Sequence, residues 1–233
     1  MRLHRFYIAP GTLKLEHSFW MHEAPLLQQW NKVLRFQQGQ QVVLFDGTTS
    51  ERLYKILEIK PNEAHLELVT DFERQLPAND VYLLWSLLKK DKNDWVLQKA
   101  TELGVSHFVP MLAERSEKTG FDVERATKIV IEAAEQCGRS DIPAVREPML
   151  VKTAVEHLQA SVKLMVCEQG NEQPALDESS GSVGVLVGPE GGWADSEMAL
   201  FAGSSLSHIG LGKFTLRAET AAVVAAQALQ SLK

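Results

Sequence analysis

The sequence has only two cysteines, Cys137 and Cys167, in 233 residues. Two thiols cannot build a disulfide framework or a Cys-rich zinc site, which excludes a stapled secreted fold and makes a reducing cytoplasm the expected location. No apolar run approaches the ~20 residues needed to span a bilayer, so no membrane partner is expected. The first ten residues set Arg2, His4 and Arg5 among short apolar pieces and lack the h-region of a signal peptide. The seven histidines never fall at HxxxH or HxH spacing, so no metal is expected. His107, between apolar neighbours in a strand, reads as structural. No GxSxG elbow supports a serine hydrolase. Internal repeats and low-complexity tracts are also missing.

Positive charge is in deficit, with 24 Lys/Arg against 30 Asp/Glu and a net charge of −6. Most affinity for a phosphate backbone comes from Lys and Arg, so the overall balance opposes nucleic-acid binding. The deficit is uneven. Residues 1–75 hold nine of each sign and are neutral, and residues 76–233 hold the whole excess of acid. A composition of 45% apolar and 23% charged residues is that of an ordinary globular protein with one large or two small domains.

The first part reads as short strands over Leu3–Ile8, Gln41–Phe45, Leu53–Ile59 and Ala64–Val69, with a hairpin signal at Asp46-Gly47 and a turn at Pro61-Asn62. Leu27, Trp30 and Leu34 are spaced for a helix over 24–34. This predicts a small β-rich unit, a barrel, ending in the polar stretch 71–80. Beyond it, the near-continuous apolar run Val81–Leu88 marks a strand buried on both faces. Further strands are predicted over His107–Leu112, Val162–Cys167, Val183–Val187 and Leu206–Leu211. Helices are predicted over 92–103, closed by Gly104; 122–137, capped by Asp122; 152–159; 196–202, capped by Asp195; and 219–232. Strands alternating with helices imply a parallel α/β sheet, whose ligands bind beyond the carboxyl ends of the strands.

Two glycine-bearing loops lie at such ends. The first is Val187-Gly188-Pro189-Glu190-Gly191-Gly192-Trp193. Glycines let a ligand approach bare backbone, but the spacing is neither GxGxxG nor GxxxxGK[ST], and Glu190 would repel phosphate. A tight strand-to-helix connection is the plainer reading. The second loop, with Gly210 and Gly212, runs into Arg217, Glu219 and Thr220, which are either a site or a helix cap with a surface pair. The last helix is nearly bare of polar groups from Ala221 to Ala228, which predicts burial in the core or against a second subunit. Glu132, Gln136 and Arg139 fall at i, i+4 and i+7 on one helical face, either solvated or functional. Cys137 reads as a small buried residue, and Lys89-Lys90-Asp91-Lys92 and Glu114-Arg115-Ser116 as solvated charges.

In this order, Gln98–Val105 (QKATELGV), Glu132–Arg139 (EAAEQCGR), Val187–Trp193 (VGPEGGW) and Leu216–Ala221 (LRAETA), with the weaker Val33-Leu34-Arg35 and Gly39, resemble the bacterial 16S ribosomal RNA uridine-N3 methyltransferase family of the SPOUT class. The resemblance covers nearly the whole chain. It implies a PUA-like β-barrel for RNA over residues 1–72 and a SPOUT α/β domain with a deep trefoil knot over 73–233, assembled as a homodimer. It implies S-adenosyl-L-methionine as cofactor, held by Leu186, Val187, Gly188, Pro189, Glu190, Gly191 and Gly192 of the first loop and Leu211, Gly212, Lys213 and Leu216 of the second. A phosphate-free cofactor suits bare backbone. The implied catalytic residues are Arg217, which stabilises an anionic uracil, Glu219, which orients Arg217 or acts as base, and Thr220, a hydrogen-bond support. RNA contacts are expected from Arg2, Arg5, Lys32, Arg35, Arg115, Gln136 and Arg139, with 16S rRNA or the small ribosomal subunit as partner. The chain departs from the family pattern at Phe214, where a basic residue is usual, at Thr215, where a branched apolar one is usual, and at Gln28-Gln29-Trp30, where histidines are usual. The rival readings are another RNA target for the same class, a non-catalytic RNA binder on this fold, and a small-molecule enzyme using the same cofactor.

Overall fold

Hydrophobic periodicity changes near residue 77, and the chain divides there. The computed structural model describes residues 3–116, 120–168, 170, 181–204 and 206–231. They fall into two units. Unit 1 comprises Met1–Leu76 with Ala134–Asp141, and unit 2 comprises Pro77–Ala133 with Ile142–Lys233.

Unit 1 is a five-stranded sheet in the order β1-β3-β4-β5-β2, made of β1 (His4–Tyr7), β2 (Ser18–Met21), β3 (Gln41–Phe45), β4 (Glu51–Ile59) and β5 (Ala64–Asp71). β1 pairs parallel with β3 and the other ladders are antiparallel. Phe6, Met21, Val42, Leu44, Tyr54, Ile56 and Leu66 close on Leu27, Trp30 and Phe36 to form its core. The strand β2 carries no sequence signal of its own and was not expected. The predicted helix over 24–34 is one short turn, α1 (Ala24–Gln28), followed by a π-helical turn, Gln29–Leu34. Arg35 ends that turn in the left-handed region at φ 52°, a conformation uncommon for a residue with a Cβ.

The Asp46-Gly47 signal does produce a hairpin, but its connection spans residues 46–50 and is organised by a side chain. Asp46 Oδ1 accepts the N–H groups of Thr48, Thr49 and Ser50 at 2.7–2.9 Å, and Thr49 Oγ1 donates to Oδ2 at 2.7 Å. Partial burial opposes ionisation of this carboxyl, but the hydrogen bonds from Ser50, Thr49 and Thr48 outweigh it and hold Asp46 well below the usual carboxylate range.

Unit 2 is a parallel sheet in the order β12-β10-β11-β6-β7-β8, with β9 also on β7. Its strands are β6 (Asp80–Ser86), β7 (His107–Leu112), β8 (Ala144–Val145), β9 (Met149–Leu150), β10 (Lys163–Glu168), β11 (Ser182–Val187) and β12 (Ser207–Gly210). Successive side chains alternate between faces. Val81, Leu83 and Trp85 of β6 and Val183, Val185 and Val187 of β11 pack on α2 (Lys90–Glu102), α3 (Val123–Cys137) and α6 (Ala218–Gln230). Leu84 and Leu186 face the other way, onto α4 (Val151–Leu158) and α5 (Asp195–Gly203). Asp122 caps α3 as expected, its Oδ1 accepting the Arg125 N–H at 3.0 Å. At α5 the cap is Ala194 rather than Asp195, and the donor it exposes is taken by Glu197 Oε2 at 2.8 Å. The expected end of α6 at Leu232 lies outside the described residues.

His107 is structural here. It stacks on Tyr82 at 3.9 Å, with Nε2 3.0 Å from Asp80 Oδ1. No described helix is long and apolar enough to cross a membrane.

Candidate active site

Three neighbouring strands, β12, β10 and β11, end side by side, and the end of β10 and the loops that leave β11 and β12 line a cavity of about 170 Å³. That is far more than the ~10–15 Å³ one water needs. The wall from β11 is Val187, Gly188, Pro189, Gly192 and Trp193. β12 contributes Leu211, Gly212, Phe214, Thr215 and Leu216, α6 contributes Ala221, and β10 contributes Cys167 and Glu168.

Backbone shape, not side-chain charge, makes the cavity. Gly192 (φ 70°) and Gly212 (φ 111°) take conformations that L side chains rarely adopt, and a Cβ at either would meet nothing within 4 Å. Gly188 is the opposite case, because a Cβ there would lie 2.9 Å from the Trp193 ring that packs over it. Gly212 and Gly170 exchange backbone hydrogen bonds of 2.7 and 3.2 Å across the cavity edge. Among the lining residues Glu168 alone is charged, and its Oε1 lies 3.1 Å from His208 Nδ1. Burial first, and Glu168 second, push the Cys167 thiol up to about 11, so it lines the cavity as an uncharged, unreactive group.

Of the residues expected to hold the cofactor, Val187, Gly188, Pro189, Gly192, Leu211, Gly212 and Leu216 line this cavity. Leu186 does not, because strand alternation turns it into the opposite core. Glu190, Gly191 and Lys213 lie off the wall. Gly191 instead backs onto Arg115, whose Nη1 donates to the Gly191 carbonyl at 3.3 Å. Arg115, expected at RNA, therefore holds the first loop. Glu190 Oε1 accepts from Lys92 Nζ at 2.5 Å. Lys92 had read as one of a run of solvated charges, yet it lies in the first turn of α2 beside Asn93. Asn93 is buried and bonds Trp85 Nε1 together with the N–H and C=O of Leu88. Of the other lining residues, Trp193 and Ala221 had been marked only as the ends of motif segments, and Cys167 and Glu168 had not been placed at the site. Phe214 and Thr215 had been marked only as departures from the family pattern.

At the start of α6, Arg217 occupies the N-cap, exposed, and its guanidinium has no partner among the described residues. Glu219 is not bonded to Arg217. Residues two apart at a helix start point in different directions, and Glu219 faces Lys92, with Oε2 3.3 Å from Nζ. That geometry falls short of a hydrogen bond, and Oε2 is sealed from solvent with no donor among the described residues. Thr220 is half-buried and bonds neither residue. No group of His, Cys, Asp or Glu suited to a metal occurs among the described residues.

The remaining residues expected at RNA separate. Arg2 lies outside the described residues. Lys32 and Arg35 are exposed on and just after the π-helical turn of unit 1, and Gln136 is exposed. Arg5 is not available to phosphate. Its guanidinium pairs with the buried Glu51 and donates to the Arg139 carbonyl at 3.2 Å. Arg139 is 6% exposed and clasps Asp141 through Nε and Nη2 at 2.9 and 2.7 Å. It lies past the end of α3, after Gly138 at φ 91°, so it does not share a helical face with Glu132 and Gln136. In the same unit Glu135 accepts the Tyr7 N–H at 2.8 Å, and Ser140 bonds Glu51. The EAAEQCGR segment thus supplies structural ties within unit 1. Cys137, expected to be buried, is exposed.

The chain is similar to known proteins over most of its length. An RNA methyltransferase PUA domain matches residues 32–69. The ribosomal RNA small subunit methyltransferase E of Bacillus subtilis is 30% identical over 215 residues, 84% of this chain and 84% of that one. The protein of the same name from Rickettsia conorii is 29% identical, over 83% of this chain and 81% of its own. Among solved structures, the ribosomal RNA small subunit methyltransferase E of Neisseria gonorrhoeae bound to S-adenosyl methionine superposes with a TM-score of 0.87 at 26% identity, covering 99% of this chain and 98% of that one. A methyltransferase of Legionella pneumophila in complex with the same cofactor gives 0.83 at 28% identity, with 99% and 98% covered. The RNA methyltransferase domain model matches residues 74–230, the whole run of elements that builds the cavity, and the chain belongs to that family.

Proposed function

We propose that the protein transfers a methyl group from S-adenosyl-L-methionine to N3 of a specific uridine in the 16S rRNA of the small ribosomal subunit. The observation that carries the proposal is an exposed arginine, Arg217, with no partner among the described residues, next in the chain to Leu216 of a glycine-walled cavity. The cavity fits the cofactor. Open space above Gly192 and Gly212 admits a ligand to bare backbone, and apolar Val187, Leu211 and Leu216 suit an adenine ring. Glu168 sits well with a ligand bearing positive charge and hydroxyls. When bound, the cofactor supplies an electrophilic methyl.

The chain's own groups do the rest. N3 is a ring N–H on the Watson–Crick edge, so the base must be unpaired and turned out of its stack. Its proton passes to solvent water before or during transfer, which puts negative charge on the uracil. Arg217, exposed and without a partner among the described residues, can meet that charge with directed hydrogen bonds, as a lysine point charge cannot. Glu219 anchors the start of α6 through Lys92, and this arrangement favours a positioning role over that of base. Exposed Lys32 and Arg35 on unit 1 are the groups we assign to RNA phosphate. We further propose that the enzyme is a cytoplasmic homodimer, its copies apposed near Phe214 and Val224, both exposed apolar residues of the α6 end of unit 2.

Mapping 16S rRNA from cells lacking this gene tests the proposal. One N3-methyluridine should disappear, returning with the wild-type gene and not with Arg217→Lys. A complete methylation pattern in the deletion strain would refute it.

A further inference from the structure

Two carboxylates from different elements converge on one ammonium. Lys92 Nζ lies 2.5 Å from Glu190 Oε1 and 3.3 Å from Glu219 Oε2. Glu190 belongs to the loop that floors the cavity, and Glu219 to the first turn of α6, two residues past Arg217. The lysine is held in place from behind, because the next residue, Asn93, is buried and locked to the end of β6 by three hydrogen bonds. The two ends of the bridge differ. Glu190 is 52% exposed and can turn to water, whereas Glu219 is 15% exposed and its Oε2 has no hydrogen-bond donor among the described residues. The charge of Lys92 is therefore what compensates the buried oxygen of Glu219. The hydrogen bond to Glu190 comes first and the nearby Glu219 carboxylate second in raising the Lys92 ammonium above its ordinary range, which keeps it charged. Arg217 is the other charged residue at this helix start, and it is not bonded to Glu219.

We infer that Lys92 is a positioning residue that clamps the 188–192 loop to the start of α6, so that the cofactor seat and Arg217 are set by one shared charge. The inference rests on the reading of Arg217 as the group that meets the uracil. Lys92 touches neither substrate nor cofactor in this scheme. It acts through Glu190 on cofactor affinity and through Glu219 on the rate.

The experiment measures S-adenosylmethionine affinity by calorimetry, and single-turnover methyl transfer at saturating cofactor to small subunits from cells lacking the gene. Lys92→Met should weaken affinity only a few-fold, because the Glu190 end is solvated. It should slow transfer by about 10–100-fold, because the buried Glu219 loses its counter-charge. Lys92→Arg should recover most of both. The two effects should separate in double variants, since contacts shared by a pair are non-additive. Added to Glu190→Gln, Lys92→Met should cost no further affinity, and added to Glu219→Gln, no further rate. Glu190→Gln alone leaves the lysine in place and should itself weaken cofactor binding a few-fold. Affinity and rate of Lys92→Met both within two-fold of wild type would overturn the clamp. So would fully additive losses in the double variants, or unchanged affinity in Glu190→Gln. If Arg217→Lys keeps its rate, the active-site reading itself fails. If Arg217→Lys is slow and Lys92→Met is normal, only the clamp fails.

Discussion

The loop after β11 is pinned by side chains, two of them from elsewhere in unit 2, whereas the loop after β12 leaves Phe214 and Arg217 exposed. In the first, Lys92 holds Glu190, Arg115 holds the Gly191 carbonyl, and Trp193 lies over Gly188. In the second, Gly212 is tied by backbone to Gly170, Phe214 is 72% exposed, and Arg217 has no partner among the described residues. The difference separates two tasks on one cavity. A seat for a small ligand is sharper when it is pre-ordered, because ordering it at the moment of binding costs affinity. A surface that must meet a large, mobile partner keeps charge unspent. A paired arginine has little to offer an anion, and Arg5 and Arg139 of unit 1 illustrate this.

The largest effect should come from spending the free charge badly. Arg217→Lys should lower the single-turnover rate by about 10²–10³ while cofactor affinity stays near wild type, the signature of a contact made only in the transition state. A near-normal rate would erase the functional contrast between the loops. Next comes the pinned loop. Gly188→Ala places a Cβ 2.9 Å from the Trp193 ring, and overpacking of this kind costs ~1–3 kcal/mol. Calorimetry should show cofactor affinity down by about ten-fold or more, since Trp193 is part of the cavity wall. By contrast, Gly191 is a poor place to block the cavity, because its Cβ would point at Arg115 and not inward.

Arg115→Ala removes one hydrogen bond of 3.3 Å, so it should cost only ~0.5–1.5 kcal/mol of cofactor affinity. A large loss of rRNA binding with cofactor affinity untouched would instead return Arg115 to the RNA surface. The smallest effect concerns a third pinned loop, residues 46–50 of unit 1. The folded state holds Asp46 below its usual range, so its ionised form stabilises above the ordinary carboxylate pKa and that contribution fades as pH falls through and below it. Asp46→Asn should destabilise by no more than ~1 kcal/mol at pH 7, discounted for its solvent exposure. Urea melts should show the gap from wild type narrowing below about pH 4. A gap that widens in acid would reverse the sign of the argument.

Much of the fold was legible because its signals are local. The strand β6 could be read as doubly buried from the near-continuous apolar run Val81–Leu88, and Asp122 as a cap from its place before an apolar stripe. β2 was missed because Ser18–Met21 alternates weakly and takes its place by pairing with β5. The π-helical turn was missed because Leu27, Trp30 and Leu34 satisfy a helical period whichever way the turn is wound. At the site, glycine betrayed the cavity. Glycines cluster where backbone must be bare, and this is visible in the chain without knowing what lies opposite.

The sequence by itself determined the alternation of strand and helix, the two glycine loops and the arginine that opens the last helix, since each depends on residues within a turn or two of one another. The tertiary structure decided which charges are spent and which are free. Lys92 meets Glu190 across 98 positions, Arg115 meets Gly191 across 76, and Arg5 meets Glu51 across 46. In unit 2 such meetings follow from the strand order β12-β10-β11-β6, which brings the ends of distant segments together. Periodicity sets what a strand buries but not which strand lies beside it, so the same lysine reads as solvated in the chain and becomes a bridge in the fold.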